Sequence, residues 1–517
     1  MPPAMQDAIQ ALDRSPVRIR RDRGCSPRVS RAVIIGALLV LSGAALGPQA
    51  ARADLTDPRI LAQLNALETA AARANQASFD ALSGACAAGP GPACPDDVFG
   101  VFEETRELVH TANELLGTGD TSFSLGLDID GLGFALRWTA AEEIAAQGSM
   151  TTEFAASQLS ALSARVAALR WGISGPRLTG VHKADGSIRV ARSGSLPLGG
   201  GASADAELVY SRWSWFLDGA FGYGDKDPTA LEDAFDFDGQ EITFGVDYRF
   251  SPMLAAGAMV GYSTKEVDFD SSRSVVDGRI KTDGYSGIAY ALLEGERAYL
   301  SGSLGFQRLS HDSRRRITYP SQNPLIPAVD SLATGSTESD ALLATLGAGY
   351  AFRWGAFSIE PSLGLDYVDA KVDGFRETSV DNTSNGSPED PFDLQIGDQD
   401  IESLDGSAGL QLQYVFTPRF GVLVPYVSGR YHHELLDDVR RVSALYADAL
   451  GQLIQTIDAD FNVPTDPPDE DYYTVAAGTT VVLAGGLMGF VQYMKVLDLE
   501  DYSDAVITGG MRYEFGR

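Results

Sequence analysis

Long apolar runs are almost absent from this 517-residue sequence. Apart from one segment near the start, no stretch approaches the about 20 apolar residues that a membrane-spanning helix needs. Basic residues are also scarce, since the chain has 40 Lys and Arg against 70 Asp and Glu. So acidic a surface does not suit nucleic acid, whose phosphates require basic patches. The sequence therefore argues against a helical membrane protein and against a nucleic-acid partner.

The one apolar segment belongs to an export signal. A cluster of arginines precedes the apolar residues 32–41, and the small residues Ala51 and Ala53 stand just before Asp54. This pattern predicts a signal peptide over residues 1–53, cleaved after Ala53. The basic region is long, so a later translation start also fits, and an uncleaved membrane anchor is the alternative. Cleavage would leave 32 Lys and Arg against 67 Asp and Glu, a net charge of about −35.

Cysteine is rare, with three in the whole chain. Cleavage of the signal would remove Cys25 and leave Cys86 and Cys94, which lie in the turn-rich sequence GACAAGPGPACPDD. In an exported protein, two cysteines this close in sequence predict a disulfide that closes a small loop between two helices.

Residues 54–150 form a small, mostly helical region in this interpretation. Apolar residues recur at helical spacing in 57–83 and again in 96–116, which predicts a helical hairpin clipped by the disulfide. Residues 121–138 alternate in the manner of strands, and we expect one β-hairpin there. The region provides a passenger of at most about 150 residues, and no β-solenoid repeat is found.

A third helix is predicted at residues 151–171, within a linker region of residues 151–210. The helix is rich in Ala and Ser, and at about 1.5 Å per residue it would be about 30 Å long, the thickness of a hydrocarbon core. It could therefore fill the lumen of a barrel. A helix on the surface or in the periplasm fits equally well, because some forty residues, with a Gly-rich stretch at 199–201, separate it from the first strand of the barrel.

The rest of the chain, residues 211–517, alternates between apolar and polar positions with a period of two. In residues 239–250, Phe244 and the residues two positions before and after it are apolar, while Asp247 and Arg249 lie on the other face of the strand. A soluble β-sandwich would show the same alternation, so this pattern alone does not distinguish a soluble sheet from a membrane barrel.

The lengths of the connections between the strands distinguish a soluble sandwich from a membrane barrel. We predict twelve strands, at residues 211–225, 239–250, 254–269, 278–292, 298–311, 340–353, 356–372, 401–416, 421–433, 472–484, 487–497 and 503–515. Tight turns alternate with longer polar segments, the longest being 312–339, 373–400 and 434–471. An even number of antiparallel strands with short turns at one end and long loops at the other is typical of an outer-membrane barrel. The predicted fold is an all-β, 12-stranded antiparallel outer-membrane β-barrel preceded by the small helical region.

The alternation also assigns side chains to the two faces of the barrel. Charged residues at the polar positions are expected to face the lumen: Asp247, Arg249, Glu360, Asp366, Arg430, Arg512 and Glu514. Apolar residues at the other positions are expected to face lipid or its interface: Phe244, Leu363, Tyr513 and Phe515.

Several segments of this region resemble the autotransporter β-domain, the translocator unit of type V secretion. They include FDFDGQEITFGVDYRFSPMLAAGAMVGYS from residue 235, DQDIESLDGSAGLQLQY from 398, GVLVPYVSGRYHHELLDD from 421 and the closing GGMRYEFGR. The resemblance covers about 300 residues, in order and spacing. It implies a monomeric barrel in the bacterial outer membrane. It also implies that periplasmic chaperones and the barrel-assembly machinery insert the barrel, which helps to carry its own N-terminal segment to the cell surface.

The chain departs from this family in two respects. Phe515 is followed by Gly516 and Arg517, whereas such barrels usually end on an aromatic residue. No asparagine lies between Asn113 and Asn323, so the Asn-Asn pair at which some members cleave themselves is missing. We therefore expect no release of the passenger by that route.

The catalytic inventory is small. The sequence has five histidines and no GxSxG or HExxH motif. His432 is expected in the lumen beside Arg430 as a structural hydrogen-bonding residue. We predict no enzyme, cofactor or metal site. Two alternatives stay open, a passive outer-membrane pore or structural barrel without cargo, and a barrel hydrolase with a Ser/His site on its outer wall.

Overall fold

The computed structural model describes residues 54–174, 178–184, 187–192, 212–269, 275–379, 391–436, 439–456, 458–483 and 487–514. The predicted signal peptide, with Ala51 and Ala53, lies outside these residues. So do the Gly-rich linker and Phe515, and the side chain of Glu514 is not described.

Twelve long antiparallel strands form the barrel. They are β1 (Trp213–Lys226), β2 (Phe235–Arg249), β3 (Leu254–Phe269), β4 (Asp277–Glu294), β5 (Ala298–Tyr319), β6 (Val329–Tyr350), β7 (Phe357–Val372), β8 (Gln399–Tyr414), β9 (Gly421–Glu434), β10 (Asp471–Leu483), β11 (Leu487–Leu497) and β12 (Tyr502–Glu514). Each strand pairs with its neighbours in sequence, and β12 pairs with β1 from Tyr502↔Lys226 to Glu514↔Ser214. This last pairing closes the sheet without a free edge. The predicted twelve-stranded barrel is confirmed.

Alternation along the strands separates an inner from an outer face. In β2, Thr243 and Asp247 are 1% and 3% exposed, whereas Ile242 and Phe244 are 58% and 45% exposed. The apolar positions thus lie on the outside, the reverse of a soluble protein. Among the described residues, no helix is both long enough and apolar enough to cross a bilayer.

The hairpin of β5 and β6 is much longer than predicted, and residues 312–339 are mostly strand instead of loop. The inward positions Arg315, Ile317 and Tyr319 are buried. The outward Arg316 pairs with Asp330 across the hairpin at 3.0 Å. The charged outward residues hid the strand pattern, because a hairpin that extends beyond the apolar band needs no apolar outer face.

Smaller elements decorate the loops at the long-loop end. They are the strands Phe375–Arg376, Thr378–Ser379, Leu394–Ile396, Arg441–Val442, Ala444–Tyr446 and Val463–Pro464, and helix α6 (Leu450–Leu453). A short strand, Phe352–Trp354, lies in one of the tight turns at the opposite end. A separate hairpin pairs Leu178–Ala184 with Ser187–Arg192.

Within the part of the chain that the structure describes, five helices precede the barrel: α1 (Pro58–Leu61), α2 (Ala66–Cys86), α3 (Asp96–Leu116), α4 (Ile129–Ala140) and α5 (Ala145–Ser174), with a 3₁₀ turn at Glu142–Ile144. The side chain of Asn65 caps the Glu68 amide at 2.8 Å, and Glu68 returns a bond to the Asn65 amide at 2.9 Å. This reciprocal pair starts α2. A disulfide joins Cys86 to Cys94 and connects α2 to α3, as the sequence predicted.

The hairpin predicted at residues 121–138 is wrong, because most of this segment is helix α4. Asp128 accepts a hydrogen bond from the Gly131 amide at 2.9 Å and caps the helix. Leu132 and Leu136, four residues apart, are fully buried. The alternation of the first residues ends at Asp128, where helical spacing takes over.

Residues 54–144, which we call the cap, pack on the long-loop end of the barrel. The cap shares one apolar core with the loops and strand ends, in which Leu67 and Trp138 join Tyr319, Phe392 and Tyr446. The cap and the long loops are therefore one packed unit.

Candidate functional site

Helix α5 lies inside the barrel lumen. Near its start, Thr151 lies 3.4 Å from Ser339, on the part of β6 closer to the long loops. Near its end, Arg170 contacts Glu294, which adjoins a tight turn. The helix therefore enters at the long-loop end and runs toward the short turns. Of the two positions that the sequence allowed, the structure shows the lumen, and the helix begins at Ala145 instead of residue 151.

The middle of α5 is anchored by a buried arginine. Arg165 is 2% exposed and pairs with Asp247 of β2. Its guanidinium also lies 4.2 Å from the ring centre of Phe216. Asp247 accepts further hydrogen bonds from Ser214 at 2.9 Å and from the Tyr290 hydroxyl. These partners compensate the charge of Asp247, which a buried carboxylate requires.

A second arginine anchors the end of the helix. Arg170 donates to Glu360 at 2.7 Å, lies 3.9 Å from Glu294 and stacks 3.6 Å above the Tyr299 ring. Removing one member of such a buried pair leaves an uncompensated charge and costs about 3–5 kcal/mol. The two arginines thus fix both the depth and the rotation of α5.

Polar contacts continue toward the long-loop end. Glu153 pairs with Lys265 and accepts a hydrogen bond from the Tyr502 hydroxyl. Gln158 accepts a hydrogen bond from Ser286 at 2.6 Å. The helix is therefore bonded to the wall along most of its length.

The inward residues named from sequence lie at different depths. Asp247, Glu360 and Arg512 are buried, and Arg512 donates to the backbone oxygen of Ala168 on α5 at 3.4 Å. Asp366 and Arg430 line a cavity that remains beside α5. Arg249 is half-buried near a tight turn.

The outward residues named from sequence lie on the other face. Phe244, Leu363 and Tyr513 are exposed on the outside of the barrel. Arg165, Arg170 and Glu294, a partner of Arg170, were not among the residues named from sequence. Two lone arginines in an Ala- and Ser-rich helix are the signal that could have found them.

The cavity beside α5 has a volume of about 1300 Å³. The helix packs against strands β3 to β8. The opposite wall is lined by polar side chains of the last strands, among them Tyr426, His432, Thr474, Gln492 and Thr508. The lumen is therefore only partly filled, and its open side is polar.

Buried charges join the cap to the barrel mouth. Arg315 of β5 makes a two-point contact with Glu377 at 3.0 and 2.6 Å and donates to the backbone oxygen of Trp138 at 3.3 Å. Arg137 of α4 reaches Asp233 of the first long loop at 3.0 Å. Burial raises the pKa of the nearby Glu143 to about 8. The mouth is thus held by specific ionic contacts as well as by the apolar core.

Comparison with known proteins gives a family match over the barrel. The model of the autotransporter beta-domain matches residues 215–494, more than half of the chain. No curated protein sequence matches. The translocator domain of autotransporter NalP from Neisseria meningitidis is similar in structure, with 17% identity, 59% of this chain and 88% of that chain covered, and a TM-score of 0.44. The beta domain of the Bordetella autotransporter BrkA is also similar in structure, with 15% identity and a TM-score of 0.39. The match covers 58% of this chain and 99% of that chain.

Proposed function

The chain belongs to the autotransporter β-domain family, and we propose that its barrel displays the cap, residues 54–144, on the outer face of the membrane. It is an outer-membrane translocator barrel of type V secretion. The family match covers the barrel alone, whereas the display of the cap is inferred from the contacts of this chain.

The direction of α5 carries the proposal. In outer-membrane barrels the short turns lie in the periplasm and the long loops outside. Because α5 enters at the long-loop end, the cap, residues 54–144, lies on that side. A segment in this position has passed through the barrel, and α5 is the stretch of chain that remains inside.

We infer further that the cap stays attached. Its core is shared with the long loops, and polar bonds cross the boundary, such as Tyr446 to Asn75 at 2.7 Å and Asn323 to the Ser124 carbonyl at 2.8 Å. The buried pairs of Arg165 and Arg170 oppose withdrawal of α5 from the lumen. Release would have to break these contacts, and the Asn-Asn cleavage pair is missing from the sequence between Asn113 and Asn323.

The outer face supports the proposed contact with lipid. Aromatic residues at the short-turn end are exposed on the outside, as in the belts at membrane interfaces: Trp213, Phe250, Phe352, Trp354 and Phe420. Phe244, Leu363 and Tyr513 would then contact the bilayer. The closed sheet needs no second copy, so we propose a monomer that chaperones and the barrel-assembly machinery deliver and insert.

The polar cavity beside α5 favours a second candidate function, a narrow pore. Conductance across a planar bilayer separates the two. Display alone predicts little current with α5 in place, and a passive pore predicts steady current from the full-length protein.

Surface accessibility tests the display. An epitope inserted after Thr56 should bind antibody on intact cells, because the cap lies on the outside. The same epitope in the turn at Glu296 should bind only after the outer membrane is permeabilised. Labelling of the turn but not of the cap would reverse the orientation and overturn the proposal.

A further inference from the structure

Three side chains on neighbouring strands form a hydrogen-bonded chain on the open wall of the lumen. Asp405 of β8 lies 2.7 Å from Nδ1 of His432 on β9. Nε2 of His432 lies 3.1 Å from the hydroxyl of Thr474 on β10. The order is carboxylate, imidazole and hydroxyl, each within the about 2.6–3.2 Å that proton transfer requires.

The partners of His432 match one tautomer of its ring. With a carboxylate at Asp405, the matching tautomer carries its proton on Nδ1, which donates to Asp405. Nε2 is then free to accept from the Thr474 hydroxyl. The ring of Tyr472 stacks on His432 with centres 4.5 Å apart and planes at 7°, which fixes the orientation of the imidazole. This is the arrangement in which an imidazole activates a hydroxyl as a nucleophile.

A cation lines the same cavity. Arg430 stands on β9, opposite Thr474 in the register of β9 and β10. Its guanidinium extends the other way, over β8 and β7, where it donates to Ser407 at 2.9 Å and to Ser362 at 3.5 Å. Arg430 therefore adds positive charge to the cavity wall and does not contact the Thr474 hydroxyl.

All four groups line the cavity of about 1300 Å³, which leaves room for a small molecule beside α5. His432, Thr474 and Arg430 come from β9 and β10, on the side of the barrel that α5 leaves open, and Asp405 comes from the adjoining strand β8. None of these groups is among the residues described above as anchoring α5. Their arrangement is therefore not explained by the part that α5 plays in translocation.

We propose that this wall is an ester-hydrolysing site, a function separate from display, whose substrates are carboxylic esters small enough to enter the lumen. The Thr474 oxygen attacks the ester carbonyl carbon, and its proton passes to Nε2 of His432. The C–O bond of the ester then breaks, and the alcohol leaves with the proton from Nε2. Water, activated by the same imidazole, cleaves the acyl-threonine and releases the carboxylic acid. Asp405 is a positioning residue that holds the tautomer.

The test uses the full-length protein folded in detergent micelles and p-nitrophenyl esters with acyl chains of two to twelve carbons. His432→Ala and Thr474→Val should each lower kcat/KM by about 100-fold or more, because general-base and nucleophilic steps are lost. Thr474→Ser keeps the hydroxyl and should retain activity. Each variant must keep the compact gel mobility of the folded barrel, so a folding defect is recognised.

The neighbouring histidine provides a matched control. His433 also pairs with an aspartate, Asp471 at 2.9 Å, but its side chain is 43% exposed on the outer face. The hydroxyl near it, that of Tyr431, bonds to Asp471 instead of the imidazole. His433→Ala should therefore leave hydrolysis unchanged.

Asp405 needs a separate measurement because its role acts through His432. Asp405→Asn should lower kcat by at least about tenfold with KM unchanged, since the wrong tautomer is stabilised. Asp405→Glu should restore part of kcat. The proposal is overturned if the folded protein hydrolyses none of these esters. It is equally overturned if His432→Ala and Thr474→Val hydrolyse them as fast as His433→Ala does.

Discussion

Single side chains decide whether α5 stays in the lumen. Arg170 pairs with Glu360 at a site where its side chain is 8% exposed. We expect Arg170→Ala to destabilise the helix in its site by about 3–5 kcal/mol, because the buried Glu360 would lose the guanidinium that pairs with it. The apparent unfolding temperature in detergent and the protease resistance of α5 measure the loss.

The exposed pair of Arg308 and Asp340 is the control for this prediction. Nε of Arg308 lies 2.8 Å from Oδ1 of Asp340, but the two side chains are 58% and 53% exposed. Exposed ion pairs of this kind contribute about 0–1 kcal/mol to the free energy of unfolding. Equal effects of Arg170→Ala and Arg308→Ala would mean that α5 is not held by buried charge.

The two faces of one strand give a second prediction at this scale. Leu363 is exposed on the outer face of β7, and its neighbour Ser362 lines the cavity. An arginine on the lipid face near the middle of the membrane costs about 2–4 kcal/mol, whereas lumenal polar changes cost little. Leu363→Arg should therefore reduce the yield of compact, heat-modifiable barrel far more than Ser362→Arg. The same yield from both variants would refute the assignment of the faces.

Helix α3 carries a pH-sensitive group of the cap, in addition to Glu143. Burial raises the pKa of Glu107 to about 9, and the nearby Glu104 contributes to the rise. An unfolded glutamate titrates near about 4.3, so the folded state holds the proton more tightly. This contribution to stability is full below about pH 4 and is lost as the pH rises through about 9.

We therefore expect the cap to be digested faster at pH 9.5 than at pH 6, and Glu107→Gln to remove the part of this difference that Glu107 contributes beside Glu143. Limited proteolysis of the folded protein at several pH values measures it. Glu103→Gln is the matched control, because the Glu103 side chain is 44% exposed on the same helix. If Glu107→Gln keeps the full pH dependence, Glu107 is not its source.

At the scale of elements, the sequence predicts the barrel well for a physical reason. Lipid outside and a polar lumen inside impose a period of two on every strand, and this pattern is local. Helix α3 was predicted with its bounds, and Gly117, in the left-handed conformation at φ 66°, ends it. Strand periodicity and helix ends are thus predictable from the sequence, because both depend on residues close together in the chain.

Other elements depend on contacts that the sequence does not show. The extension of β5 to Tyr319 is buried by the cap, which packs against it from far away in sequence. The segment that became α4 was predicted as strand because the residues before Asp128 alternate. The position of α5 depends on Asp247 and Glu360, which are 82 and 190 residues away from their arginines.

At the scale of the whole molecule, the helix, the cap and the long loops support one another. The cap covers the long-loop end, α5 crosses the lumen, and the barrel closes around it. The display that we propose for residues 54–144 therefore depends on α5 lying in the lumen in the cell.

A cross-link between α5 and the wall tests this claim most directly. The side-chain oxygens of Thr151 and Ser339 are 3.4 Å apart, so cysteines at these two positions should form a disulfide under mild oxidation in intact cells. Peptide mass spectrometry would detect it, with Thr152→Cys and Ser339→Cys as the control pair. We expect a link between residues 151 and 339 together with surface labelling of the cap. Surface labelling without this link, or a link no more frequent than in the control pair, would contradict it.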